Sequence, residues 1–164
     1  MVNLEKVRDW AWKISLIAII LNIVALLIPN IFYIVFGGRN AIFWLYNFYI
    51  TEYGFSFLPF AAINPIFKIY FILGYIIAIV VIICIVLTLI AMLKEKGANL
   101  GKLYLLWIVS GILLIIIGII AWAVRGAILF LDEIGFPIPL GSLLILVSGI
   151  FTLTIGIVSM KVPR

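Results

Sequence analysis

Apolar residues along this chain gather into four runs, at about residues 14–36, 66–93, 103–124 and 138–160. About twenty apolar residues cross the ~30 Å hydrocarbon layer of a bilayer, so each run predicts a transmembrane helix. Polar positions mark the breaks. Lys94-Glu95-Lys96-Gly97-Ala98-Asn99 forms a short turn in which Gly97 is a natural helix stop. Arg125 to Gly135 is a second short connector, holding Arg125, Asp132 and Glu133. Pro29 should kink the first helix or end its regular part, and Pro137 or Pro139 suits the first turn of the fourth. The first run is expected to be a retained span rather than a cleaved signal peptide. It is too long for the latter, and no small-x-small cleavage site follows it. Trp10 and Trp12 stand just before it, where indole rings favour the headgroup region.

The one long segment outside these runs is the loop 37–65, and nine of its 29 residues are aromatic. Phe43, Trp44, Tyr46, Phe48, Tyr49, Tyr53, Phe55 and Phe57 make it the candidate interaction loop, since an exposed aromatic patch of this size marks a contact with protein, lipid or ligand. Its β-branched and aromatic content suits strands, and Thr51-Glu52-Tyr53-Gly54 offers a turn. A small hairpin is therefore expected. An interfacial helix lying in the headgroups is the alternative. A third reading makes the segment a simple roof over the helices.

The fold class expected is an all-α integral membrane protein: a single domain over 1–164, formed by a four-transmembrane-helix bundle with a small aromatic-rich extracytoplasmic loop. Composition agrees. Hydrophobic residues make up 68% of the chain and charged residues 10%, against about 45–50% and about 25% in soluble domains. Lipid, rather than water, is the solvent such a chain suits.

Charge placement then predicts an orientation, because Lys and Arg close to spans are retained in the cytoplasm. With four spans, both termini and the middle turn share one side. That side holds Lys6, Arg8, Lys13, Lys94, Lys96, Lys102, Lys161 and Arg164, eight of the eleven basic residues. Arg39, Lys68 and Arg125 fall on the other. Acidic residues divide evenly, so the whole net charge of +5 belongs to the cytoplasmic face. An inner surface facing anionic lipid is expected, and no nucleic acid, since no basic cluster is dense enough for a groove.

Between helices in lipid, small residues mark close contacts. Ala11, Ser15, Ala18, Asn22 and Ala25 lie on one face of the first helix, and Trp107, Gly111, Leu114, Gly118 and Ala121 on one face of the third. The fourth carries Ser148, Thr152 and Gly156 at intervals of four, with Ser142, Gly149 and Gly156 at intervals of seven. Gly74 and Ala78 form a weaker pair on the second. The candidate helix-packing residues are thus Ala18, Asn22, Gly111, Gly118, Ser148, Thr152 and Gly156. Asn22, the most polar side chain well inside a run, is expected to hydrogen-bond a neighbouring helix.

Candidate chemistry is sparse. The chain has no histidine, which removes the usual general base near neutral pH and most zinc sites. Cys84 is its single cysteine. There is no acidic or basic residue near the middle of any run, which weighs against a proton relay or an ion-coupled transporter. Neither a catalytic set, nor a cofactor site, nor a metal site is expected, and the chain is not expected to be an enzyme by itself. A structural or interaction role is expected, as a scaffold or complex subunit. The alternatives are a small channel or transporter and an accessory subunit of a membrane enzyme. Expected partners are membrane lipid and either a second copy of the chain or another membrane protein.

This layout resembles that of the four-helix claudin and PMP22-like membrane proteins: inner termini, a larger first outer loop, a small second one and a short inner turn. Claudins carry a Trp, Gly-Leu-Trp, Cys, Cys pattern in the first outer loop. Here that loop has Trp44 but no Gly-Leu-Trp and no cysteine. The resemblance therefore implies the four-helix layout and no adhesion, pore or binding residue. Tetraspanins share the topology but need a large, cysteine-rich second loop, which Gly126 to Phe136 is not.

Overall fold

The structure is a computed structural model. It describes residues 8–28, 31–34, 40–43, 48–51, 54–57, 65–96, 103–131 and 140–161, with side chains described over 8–28, 72–95, 103–123 and 140–161. In chain order the elements are α1 (Ala11–Leu27), β1 (Ile31–Ile34), β2 (Asn40–Phe43), β3 (Phe48–Thr51), β4 (Gly54–Phe57), α2 (Pro65–Lys96), α3 (Tyr104–Leu131) and α4 (Leu140–Lys161). Within α2, α3 and α4 lie stretches long and apolar enough to cross a membrane. The chain is accordingly a multi-pass helical membrane protein.

The helix α1 stops well short of the position 36 expected from hydropathy. Ile28 precedes Pro29, whose ring disfavours helical geometry in the residue before it. Ile28 is indeed extended, with ψ 155°, while its N–H still bonds the Val24 carbonyl at 2.9 Å. Hydropathy could not see this boundary, because Ile31–Ile34 is as apolar as the helix and forms a strand instead. Pro65 opens α2, one residue from the start expected and a first-turn position where its missing N–H costs nothing. Two other limits differ. α2 runs on to Lys96, through the first half of the turn expected at Lys94–Asn99. The connector expected from Arg125 is helical as far as Leu131. One arginine does not end a helix, and Gly126 costs only about 1 kcal/mol there.

The segment between α1 and α2 is a four-stranded antiparallel sheet in sequential order. Ile31 pairs with Phe43 and Ile34 with Asn40, Phe43 pairs with Tyr49, and Phe48 pairs with Phe57. β3 and β4 pair with Thr51 opposite Gly54. This pairing is larger than the single hairpin expected, and it leaves no interfacial helix at Phe48–Thr51. β1 approaches α4.

The helices run up-down-up-down. α1 packs against α2 and α4, and α3 against α2 and α4. Two apolar clusters lie between them. One joins all four helices through Ala25, Val81, Cys84, Leu114, Ile117 and Ile145. The other, near the start of α1, is built of Ala11, Ala91, Trp107 and Ile155. The outward positions are larger and more apolar than the inward ones. Leu16, Ile20 and Ile23 on α1, Ile79 and Ile82 on α2, Ile116 and Ile119 on α3 and Ile150 on α4 are exposed, while Ser15, Asn22, Thr88, Ser110, Ser148 and Thr152 are buried. Water would reverse this arrangement; lipid permits it, because hydrocarbon gives large side chains no reason to turn inward.

Candidate functional site

The interior between the four helices is where small and polar residues converge. Ala11, Ser15, Ala18, Asn22 and Ala25 are all buried on one face of α1. Their four-and-three spacing keeps them on one line down the helix. α4 presents Ser142, Ser148, Gly149, Thr152 and Gly156 inward, and α3 presents Trp107, Gly111, Leu114, Gly118 and Ala121. Gly74 and Ala78 are buried on α2.

The α3–α4 seam has the closest backbone approach. A methyl group added at Gly111 would lie 2.5 Å from the Leu153 backbone nitrogen, and one at Gly156 2.8 Å from that of Ile108. At Gly118 the nearest atom would be Leu146 Cγ at 2.6 Å, and at Gly149 the Ile115 backbone nitrogen would be at 3.0 Å. Leu146 and Leu153 of α4 thus sit over Gly118 and Gly111, while Ile108 and Ile115 of α3 sit over Gly156 and Gly149. Large residues on each helix fill the gaps left by glycines on the other, at a seven-residue repeat on both. This is the left-handed knobs-into-holes pattern.

Asn22 is joined to α4. The Ser148 hydroxyl donates to Asn22 Oδ1 at 2.6 Å and also lies 2.8 Å from the Ile145 carbonyl oxygen. Thr152 donates to the Ser148 carbonyl at 2.8 Å. Two residues singled out from opposite ends of the sequence therefore meet as one polar contact.

A charged contact that sequence reasoning missed closes the interior at the start of α1. Arg8 Nε donates to Glu95 Oε1 at 3.1 Å, and Arg8 Nη1 donates to the Ser159 carbonyl at 3.1 Å. The side chains are only 3% and 5% exposed. The pair ties the segment before α1 to the ends of α2 and α4. Each has charged or polar neighbours in sequence, a setting that by itself points to the surface. The available signal was their shared side in the four-span topology. Just beyond, Lys13 lies with Nζ 4.1 Å from the centre of the Trp10 ring and 5.7 Å from that of Trp12, within cation–π range. All three are exposed.

Of the candidate loop residues, Phe43 lies in β2, Phe48 and Tyr49 in β3, and Phe55 and Phe57 in β4. Trp44, Tyr46 and Tyr53 lie outside the described residues. The register brings Phe43 opposite Tyr49 and Phe48 opposite Phe57, so aromatic positions recur as strand partners. Among the described residues no group of three or more Asp, Glu, Cys or His could hold a metal ion.

No protein-family model matches the chain, and neither a curated protein nor a solved structure matches it.

Proposed function

We propose that this chain is a small four-spanning membrane protein with a structural or interaction duty, a scaffold or a non-catalytic subunit of a larger assembly. The observation that carries the reading is the closed interior. The glycine seam brings α3 and α4 into backbone contact, and the Arg8–Glu95 pair turns two charges inward upon each other. What the protein then offers its surroundings is a lipid-facing apolar surface and the aromatic-rich sheet. Membrane lipid covers the first. A second copy of the chain or another membrane protein meets the second.

In this reading α1 is the fourth crossing. Its 17 residues reach about 26 Å at 1.5 Å each, close to the thickness of the hydrocarbon layer. Trp10, Trp12 and Lys13 suit the headgroup level at its start, which the charge distribution assigns to the cytoplasmic side together with both termini. The claudin-like layout follows, with the sheet as the extracytoplasmic cap.

The test is purification of the tagged full-length chain in mild detergent. A stoichiometric partner or a defined self-oligomer is the expected result, and a lone monomer over a range of detergents contradicts it. A second reading, a small channel or transporter, is favoured by the inward Asn22, Thr88, Ser148 and Thr152. Solute flux into vesicles containing the purified chain alone would favour that reading over a scaffold.

A further inference from the structure

The two apolar clusters of the core do not merge, and what separates them is polar. Ser15 lies four residues beyond Ala11 of the smaller cluster, Thr88 three before Ala91, Ser110 three beyond Trp107 and Thr152 three before Ile155. One helical turn thus carries each of the four helices from the smaller cluster into a hydroxyl-bearing residue. On α2, α3 and α4 four further residues lead on to Cys84, Leu114 and Ser148. Counted from the smaller cluster, the four positions stand at one level along their helices. That level lies seven residues, about 10 Å, from Arg8 along α1.

All four are buried, at 1% exposure or less. Thr152 satisfies its hydroxyl on its own helix, at the Ser148 carbonyl, as Thr154 does at Ile150. Ser15, Thr88 and Ser110 do not. Their hydroxyl oxygens have no hydrogen-bond partner in the structure, and the Trp107 indole N–H, one turn away, has none either. Three unpartnered hydroxyls on three helices at one level are costly in a dry interior. They are also what a buried water needs, which is two to four polar partners around it.

We propose that this level holds a water-binding site built across three helices, in which the hydroxyls of Ser15, Thr88 and Ser110 share bound water. Three hydroxyls supply both donors and acceptors without a charge, which suits a small neutral occupant such as water. The site stands whether the chain acts as a scaffold or as a conduit, and its test is independent of co-purification.

The experiment uses the full chain in detergent, with Ser15→Ala, Ser110→Ala, the isosteric Thr88→Val and their pairs. Each single substitution should lower the unfolding midpoint. Each pair should lower it by less than the two singles summed, because the first change already releases the shared water. Additive shifts of either sign, or singles that leave or raise the midpoint, overturn the proposal and place each hydroxyl on its own helix or in a dry gap. Should the variants fail to fold, a crystal structure of the unaltered chain in a lipidic phase decides. Ordered water within hydrogen-bond distance of at least two of the three hydroxyls is expected. All three hydroxyls bonded to carbonyls of their own helices, with nothing between them, contradict it.

Discussion

At the scale of single residues, the buried ion pair among the described residues joins Arg8 to Glu95. Removing one member of a buried pair costs about 3–5 kcal/mol, because the other charge keeps its desolvation penalty. Glu95→Ala should therefore lower stability sharply, and the double change Arg8→Met with Glu95→Leu should restore much of the loss. Thermal unfolding in detergent at fixed salt checks both. Asn22 and Ser148 are a gentler case. Hydrogen bonds between helices in lipid average about 0.6 kcal/mol and reach about 1.7, so a double-mutant cycle between Asn22→Leu and Ser148→Ala should give a coupling in that range. A coupling near zero would mean that Ser148 serves only the Ile145 carbonyl. These two contacts also differ in how readily the sequence discloses them. A lone amide inside an apolar run advertises its need for a partner, and the small-residue stripe on α1 points to the face where it will be found. Arg8 and Glu95 are 87 positions apart, each near other charges, and nothing local marks them for burial.

At the scale of elements, the glycine seam turns a sequence pattern into a ranking. The spacing of Gly111, Gly118 and Gly156 was legible as a contact face; which neighbour each one admits was not, because that depends on the stagger of α3 against α4. Overpacking a close contact costs about 1–3 kcal/mol, and replacing glycine by alanine in a helix returns up to about 1 kcal/mol. Gly111→Ala meets the backbone of Leu153, which cannot move without shifting α4, so the first figure should win there. Gly118→Ala meets mainly the Leu146 side chain, which can turn aside, so the two figures should nearly cancel. Unfolding midpoints of the two variants should therefore separate, with Gly111→Ala the lower; equal midpoints would place the seam further apart. The end of α1 shows the opposite limit of sequence reading. Hydropathy is blind to a change from helix to strand inside one apolar run, and only the constraint that Pro29 places on Ile28 marks it. In the sheet, the strand preference of the aromatic segment was legible. The recruitment of Ile31–Ile34 as a further strand was not, since that stretch reads equally well as the last turns of a span.

At the scale of the whole molecule, the decisive pattern is the inversion of large and small residues. Isoleucines and leucines coat the outside, while serine, threonine, asparagine and glycine turn inward around the two apolar clusters. That inversion follows from composition once the helix faces are assigned, which is why the membrane class was legible before any geometry. The number of crossings and their direction depend on α1, the shortest of the four helices, and on basic residues gathered at one end of the topology. Four crossings with cytoplasmic termini require both. Single cysteines introduced at Asn47 and at Asn99, in the otherwise unaltered chain, test both with a membrane-impermeant thiol reagent applied to intact cells. The native Cys84 is fully buried and should stay silent. Four crossings with cytoplasmic termini predict labelling at position 47 from outside and at position 99 only after the membrane is opened. Labelling of both positions from the same side would contradict the four-crossing arrangement and its orientation alike.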